Sequence, residues 1–321
     1  MKDNTVLVLS DPNEPQLAML HELRDSAEIV IGNSRAAFEK SAASASVLFN
    51  WSGSLGLLRD VESMAPRLRW VHSRSVGLER TLFPELIENS VTLTNGRGVY
   101  SASLGEFALG AILYFAKDFR RLVRNQLAHK WEQFDVQVIS GRTVGIVGYG
   151  DIGRAVAARV RPLGMQVLAL KRHVSREPDP LIGKTYLRNG LLEMLSLCDY
   201  AVISTPLTEE TRGMIAEAEF SAMKSAAVVI NVGRGPVIKE EALVSALKEG
   251  QIRAAALDVF DEEPLPASHP FYGMENVLLS PHCADHTSDW LDQAMRLFIE
   301  QYERFRNGKP LLYVVDKKLG Y

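Results

Sequence analysis

Thr143-Val144-Gly145-Ile146-Val147-Gly148-Tyr149-Gly150-Asp151-Ile152-Gly153 decides the fold of this chain. An apolar run stops at a G-x-G-x-x-G spacing and continues into Arg154-Ala155-Val156-Ala157-Ala158-Arg159-Val160, which suits an amphipathic helix. The pattern reads as strand, tight turn, helix. In such a unit Gly148 makes the turn, Gly150 lets backbone approach a pyrophosphate and Gly153 lets helix pack close to strand. The helix-end N–H groups, at Asp151 and Ile152, face the phosphates. Three spaced glycines alone are a weak signal, and a tight turn in another α/β protein is the competing reading. Their place between a buried-strand pattern and a helix is what points to dinucleotide binding.

About twenty residues on, the second strand of such a unit ends in an acid that grips the ribose 2′-OH of NAD. Here Met165-Gln166-Val167-Leu168-Ala169-Leu170 runs into Lys171-Arg172-His173. A cationic pair there suits a 2′-phosphate, and the planar fork of Arg172 meets phosphate oxygens in pairs. NADP(H) is therefore favoured, with NAD(H) possible. The alternative is a solvated basic strand end.

The whole chain bounds the remaining choices. Its 321 residues allow two domains with full cores, and 46% hydrophobic with 23% charged residues is ordinary for a globular protein. Lys and Arg total 36 against 39 Asp and Glu, a formal charge of −3 that gives no drive toward nucleic acid or acidic membrane. Cys198 and Cys283 are far apart with no metal-like spacing, so no metal is expected. Met1-Lys2-Asp3-Asn4-Thr5 lacks the apolar core of a signal peptide, and no apolar run approaches the ~20 residues that span a bilayer. A reducing cytoplasm is the expected setting.

Strand candidates alternate with helical segments along the chain. Val6–Leu9, Ile29–Ile31, Ala45–Phe49, Trp70–His72 and Val91–Thr94 form a first βα series, and strands near residues 144–147, 167–170, 201–203, 228–231, 254–257 and 277–279 form a second. Between them Leu104, Phe107, Ala108, Ala111, Ile112 and Phe115 are spaced for one buried face of a helix over about residues 103–127. A last helix, about residues 288–307, carries Leu291, Met295, Phe298, Tyr302 and Phe305 on one stripe and is expected to return to the first lobe.

Three downstream segments fall where strands end, the edge at which open α/β sheets bind ligands. In Asn231-Val232-Gly233-Arg234-Gly235 the small residues bring the Val232 and Gly233 backbone near a cofactor and aim one guanidinium at a carboxylate. Leu257-Asp258-Val259-Phe260-Asp261-Glu262-Glu263-Pro264 is an acid-rich loop that alone would read as a solvated turn. In Ser280-Pro281-His282-Cys283-Ala284-Asp285-His286, His282 is a proton-transfer candidate once paired with a carboxylate and an arginine.

Taken in order, these segments resemble the D-isomer-specific 2-hydroxyacid dehydrogenases over nearly the whole chain, with Trp131 and Thr205-Pro206-Leu207-Thr208-Glu209-Glu210-Thr211 as further landmarks. The resemblance implies an α/β protein of two Rossmann-like lobes with parallel sheets and a substrate cleft between them. The substrate lobe would be residues 1–99 completed by 287–321, the dinucleotide lobe residues 100–286, and the protein a homodimer joined through the latter. It implies that His282 protonates the substrate oxygen, that Glu263 orients it, and that Arg234 clamps carboxylate and carbonyl of a small 2-oxo or 2-hydroxy acid. It implies that Asp258 binds the nicotinamide carboxamide, that Pro206 and Thr211 line the adenosine half, and that the backbone of Val76 and Gly77 in Ser75-Val76-Gly77 binds the substrate carboxylate.

Departures from the family pattern carry information too. Lys171 stands where NAD-using relatives carry an acid. Trp51 occupies the position where phosphoglycerate-specific relatives place a base, which argues against a phosphorylated substrate. Its indole would be an apolar wall to the substrate or part of the core. Cys283 and His286 lie beside the proposed acid, His286 expected at the surface. The sequence ends at Tyr321 without an added regulatory domain, so feedback through one is not expected. The expected activity is that of an NAD(P)-dependent glyoxylate/hydroxypyruvate reductase-like oxidoreductase. The alternative is a dinucleotide-sensing binding protein, corepressor-like, on the same fold.

Overall fold

The computed structural model describes residues 4–173 and 177–321; residues 1–3, part of the stretch read above for a leader, lie outside them. The chain divides into two compact units, Met1–Val99 with Thr287–Tyr321, and Tyr100–His286.

In the first unit β1 (Asn4–Leu9), β2 (Ala27–Gly32), β3 (Ala45–Asn50), β4 (Trp70–Ser73) and β5 (Thr92–Thr94) are interleaved with short helical turns, α1 (Leu55–Ser63) and α2 (Pro84–Glu88). The strands pair in parallel in the order β2-β1-β3-β4-β5. Their near-continuous Val, Leu and Phe runs are what a sheet covered on both faces requires, and Val6 to Leu9 and Val47 to Phe49 are fully buried. Strand order reverses between β1 and β3, and ligands of open α/β sheets bind beyond the carboxyl ends of the strands at such a point.

The second unit opens with a departure from the sequence expectation. The single helix read over residues 103–127 is two, α3 (Ser101–Ala116) and α4 (Phe119–Leu127). Asp118 separates them in a left-handed conformation (φ 49°) and its carboxylate accepts the Arg121 N–H at 3.4 Å, so an N-cap interrupts the apolar periodicity. Next come β6 (Thr143–Val147), α5 (Asp151–Val160), β7 (Gln166–Leu170), β8 (Lys184–Tyr186), α6 (Leu191–Leu197), β9 (Tyr200–Ile203), α7 (Glu217–Ala222), β10 (Val228–Asn231), α8 (Glu240–Lys248), β11 (Ala254–Leu257) and β12 (Val277–Leu279). All pair in parallel as β12-β11-β10-β9-β6-β7-β8, the dinucleotide-binding order, with its reversal between β6 and β9. The edge strand β8 was not read from sequence because Lys184-Thr185-Tyr186 offers one buried side chain and no apolar run. Gly105 has no Cβ to strike the Ala155 backbone 3.0 Å away, which lets α3 lie tight on α5.

The chain then returns to the first unit as α9 (Trp290–Arg306). Its stripe enters the core: Phe298 stacks on Phe49 with ring centroids 3.9 Å apart and on Trp70 at 5.5 Å. In the tail the Lys317 ammonium donates to the carbonyls of Leu86, Asn89 and Val91 at 2.6–3.0 Å, capping the end of α2.

Candidate active site

At the switch point of the second sheet, the three glycines of the opening motif play separate parts. Gly148 has φ +90°, and a Cβ there would lie 2.8 Å from the Thr205 nitrogen. At Gly153 a Cβ would lie 2.6 Å from the Gly148 carbonyl oxygen, so the third glycine sets the closeness of α5 to β6. A Cβ at Gly150 would meet nothing within 4 Å, which leaves open space before the first turn of α5, where Asp151 and Ile152 begin the helix. Ser204, which the sequence reading passed over, fixes the turn by donating to the Gly148 carbonyl at 2.7 Å. This cradle fits a pyrophosphate, since helix-start N–H groups and the helix dipole both favour an anion. Gly145 serves differently: a Cβ would lie 2.3 Å from Cys198 Sγ, and burial pushes that thiol up to about 12, which makes it inert.

Beyond β7 the Lys171 ammonium lies 4.8 Å from the Tyr149 ring centroid, and Arg172 pairs with Glu210 at 3.1 Å. Tyr149 donates to Asp179 at 3.1 Å while Arg154 pairs with the same carboxylate oxygen at 3.0 Å. Burial and then the Asp179 charge raise the Tyr149 pKa, so the phenol remains a donor at neutral pH. In the loop after β9, Thr211 Oγ1 donates to the Pro206 carbonyl at 2.7 Å and accepts the Thr208 N–H at 2.8 Å, closing the turn on itself.

The Arg, Glu and His segments meet along the carboxyl edge of this sheet. Asn231, buried at the end of β10, accepts the Gly233 N–H and donates to the Arg234 carbonyl, both at 3.0 Å, while Val232 N–H bonds Ile203. Cβ atoms at Gly233 and Gly235 would strike the Thr205 carbonyl oxygen at 2.8 Å and the Phe260 carbonyl carbon at 2.0 Å. Both glycines therefore let this loop lie against its neighbours, and Arg234 Nη1 is turned onto the Gly233 carbonyl at 2.7 Å. Asn231 had a sequence signal, a polar residue ending an apolar strand just before the glycine-flanked arginine.

Asp258 is 2% exposed, and one of its oxygens accepts the Ser280 hydroxyl at 2.6 Å and the Cys283 and Ala284 N–H groups at 3.0 Å each. Burial raises its pKa against the lowering effect of those three bonds. Its visible work is thus to pin the loop that carries His282, a role not foreseen from sequence. Within that loop His282 adopts φ 51°, a left-handed conformation costly for a side chain other than glycine. His282 Nδ1 lies 2.7 Å from Glu263 Oε2, and Glu263 Oε1 accepts the Phe260 N–H at 2.9 Å. With Nδ1 so engaged, Nε2 is the nitrogen available for chemistry. Cys283 is exposed with Sγ 3.5 Å from Ser280 Oγ, and His286 is half-exposed with Nε2 3.7 Å from Asp285 Oδ1.

In the first unit the Ser75-Val76-Gly77 loop follows β4. Asn95 donates to the Val76 carbonyl at 2.9 Å and Gly96 N–H to the Ser75 carbonyl at 3.2 Å, which fixes the loop's peptide planes. Trp51 is 2% exposed and packs edge-on against Phe49, centroids 5.6 Å apart, so packing is the role its surroundings give it. Among the described residues no group of three or more His, Cys, Asp and Glu side chains is placed to hold a metal, and no helix is long and apolar enough to cross a membrane.

A family model described as D-isomer specific 2-hydroxyacid dehydrogenase, NAD binding domain, matches residues 109–284. The chain belongs to the D-isomer specific 2-hydroxyacid dehydrogenase family. It is 35% identical over 273 residues to a glyoxylate reductase of Aeropyrum pernix, covering 81% of this chain and 80% of the relative. It is 32% identical over 264 residues to the glyoxylate/hydroxypyruvate reductase A HPR2 of Arabidopsis thaliana, covering 81% and 82%. The crystal structure of an NADPH-dependent glyoxylate/hydroxypyruvate reductase of Sinorhizobium meliloti, in complex with NADP and sulfate, is similar with a TM-score of 0.84 at 27% identity, covering 99% of this chain and 100% of that one. As a member of the 2-hydroxyacid dehydrogenase family the protein is an oxidoreductase that uses a nicotinamide dinucleotide, and the glycine cradle fits that cofactor.

Proposed function

We propose that this dehydrogenase reduces small 2-oxo acids such as glyoxylate or hydroxypyruvate to D-2-hydroxy acids, with NADPH preferred over NADH. The observation that carries the reading is the Glu263–His282 pair, 2.7 Å apart on the sheet edge that also bears Arg234 and the glycine cradle. The cofactor, when bound, supplies the hydride that reaches the 2-oxo carbon. His282 Nε2 gives a proton to the oxygen that becomes the alcohol, while Glu263 holds the ring through Nδ1. Arg234 receives the carboxylate and carbonyl oxygens and stabilises the charge developing on the latter. The N–H groups of Val76 and Gly77, in the loop after β4, are further candidates for binding a carboxylate.

For the cofactor, Asp151 and Ile152 N–H groups take the pyrophosphate and Pro206 and Thr211 flank the adenosine. Val232 and Gly233 present backbone, and the Asp258 oxygen not engaged with the His282 loop accepts from the carboxamide. The NADP preference rests on Lys171 and Arg172 at the end of β7, and the similar Sinorhizobium reductase, NADPH-dependent and bound to NADP, supports it. Initial rates with glyoxylate, hydroxypyruvate, pyruvate and phenylpyruvate, each with NADPH and NADH, test the reading. Turnover of the first two, faster with NADPH, is expected; no turnover of any acid despite cofactor binding would overturn it.

The same proposal includes a homodimer. Phe119, Leu122, Val123 and Leu127 form one apolar stripe of α4 and are 42–77% exposed, and Trp131 beyond it is 96% exposed. A second copy of the chain covers this stripe, so Leu127→Asp with Trp131→Asp should convert the dimer to monomer in sedimentation equilibrium. Two free thiols, Cys198 and Cys283, support a reducing cytoplasm as its compartment.

A further inference from the structure

The loop that carries Glu263 is tied down by one carboxylate from the neighbouring helix. Glu240 is the first residue of α8. Its Oε1 lies 2.9 Å from His269 Nε2, and its Oε2 accepts the Asp261 N–H at 3.5 Å. His269 Nδ1 accepts the Phe271 N–H at 3.3 Å, capping the helical turn Pro270–Gly273. With Nδ1 an acceptor, the proton of the ring sits on Nε2 and is donated to Glu240. The His269 and Glu240 side chains are only 15% and 22% exposed, so little water competes for that bond. The His269 ring itself stands on a firm base, its centroid 4.5 Å from that of Phe271 in the core.

The segment between these anchors has little else to fix it. Asp261, Glu262, Glu263 and Pro264 are all exposed, and side-chain packing on the core resumes only at Leu265. Glu263 follows the Asp261 anchor by two residues, and its carboxylate bridges from the Phe260 N–H at 2.9 Å to His282 Nδ1 at 2.7 Å. On an exposed loop such a carboxylate shifts at little cost, and a displacement of ~1 Å beside a reacting group can slow it by roughly 10². Holding Asp261 on one side and His269 on the other removes that freedom.

We infer that Glu240, acting through His269 and the Asp261 N–H, is a positioning residue for the reduction, strapping the loop so that Glu263 meets His282. The inference rests on the reading above, in which Glu263 orients His282 as the proton donor. Glu240 touches neither substrate nor cofactor in this role. Its effect reaches the reaction only through Glu263, which separates it from a residue that merely stabilises the fold.

The test measures single-turnover oxidation of NADPH by hydroxypyruvate in the wild type, Glu240→Ala, Glu240→Gln, His269→Asn, Glu263→Ala and the double variant Glu240→Ala with Glu263→Ala, each shown to be folded by circular dichroism. Glu240→Ala should slow the step about tenfold, with the half-saturating hydroxypyruvate concentration and NADPH affinity little changed. Glu240→Gln, whose single oxygen serves His269 but not Asp261 as well, should lie between the two. His269→Asn keeps an acceptor for the Phe271 N–H but cannot reach Glu240, so it should match Glu240→Ala and carries the test if that variant does not fold. Once Glu263 is gone there is nothing left to position, and adding Glu240→Ala to Glu263→Ala should cost less than about twofold more. A full tenfold further loss in the double variant, or wild-type rates in folded Glu240→Ala and His269→Asn, would overturn the inference while Glu263→Ala remains slow. Wild-type rates in Glu263→Ala, or no turnover by the wild type, would instead sink the reading on which it rests.

Discussion

His282 Nδ1 and Glu263 Oε2 are 2.7 Å apart, and the carboxylate is held from behind by the Phe260 N–H. A ring fixed at one nitrogen presents the other in one direction, which is what a proton donor to a bound carbonyl needs. His282→Asn should lower kcat by roughly 10²–10⁴ with cofactor affinity little changed, and Glu263→Gln should lower it by about tenfold, since the amide oxygen can still accept from Nδ1. Stopped-flow rates alongside a cofactor fluorescence titration separate the two effects. Near wild-type turnover in His282→Asn would remove it as the acid.

Lys171 should set cofactor choice. With its ammonium 4.8 Å from the Tyr149 ring and Arg172 paired to Glu210, the end of β7 is positive where an acid would repel a 2′-phosphate. Lys171→Asp is expected to reduce the NADPH-to-NADH ratio of kcat/KM by about tenfold or more. A ratio unmoved by the substitution would mean that the charge at this strand end is merely solvated.

Asp258 pins three donors of the His282 loop with one oxygen. In Asp258→Ala the buried Ser280 hydroxyl and two half-buried N–H groups lose their acceptor, which should destabilise the fold by about 1–3 kcal/mol. The Cys283 and Ala284 amides should then exchange with solvent faster than in Glu263→Gln. Equal protection in the two variants would show that the loop is held by other contacts.

His72 should make the first unit acid-sensitive. It is wholly buried beside Thr94, with Nδ1 2.7 Å from Thr94 Oγ1, and burial lowers its pKa from 6.5 to about 3. The unfolded chain therefore binds one more proton than the folded chain between those two values. Stability is full above about pH 6.5 and falls as pH drops below it, by about 2 kcal/mol at pH 5. Urea unfolding at pH 7 and pH 5 should show this loss in the wild type and a correspondingly smaller loss in His72→Gln. The same pH slope in both would place the sensitivity elsewhere.

The parts of the molecule legible in sequence are those that local chemistry dictates. The glycines at 148 and 153 announce a strand-turn-helix because no other residue meets their steric demands, and the Val, Leu and Ile runs announce buried parallel strands. What sequence left hidden depends on partners distant along the chain. Asp118 looks like one more polar helix residue until its φ of 49° breaks α3 from α4. Asp258 reads as a cofactor ligand, and its hold on Ser280, Cys283 and Ala284 emerges only when those donors are seen to converge on one of its oxygens. Trp51 and Arg74, 23 positions apart in sequence, become one feature only when β3 and β4 lie side by side.

Arrival of a hydride at C2 of a 2-oxo acid defines the proposed reaction. It is tested most directly by incubating the enzyme with hydroxypyruvate and NADPH deuterated at C4 of the nicotinamide, in separate samples labelled on each face, and examining the glycerate by mass spectrometry and chiral chromatography. D-glycerate carrying one deuterium at C2 is expected from one face-labelled cofactor, and unlabelled D-glycerate from the other. Glycerate without deuterium from either cofactor, or no glycerate at all, would contradict it.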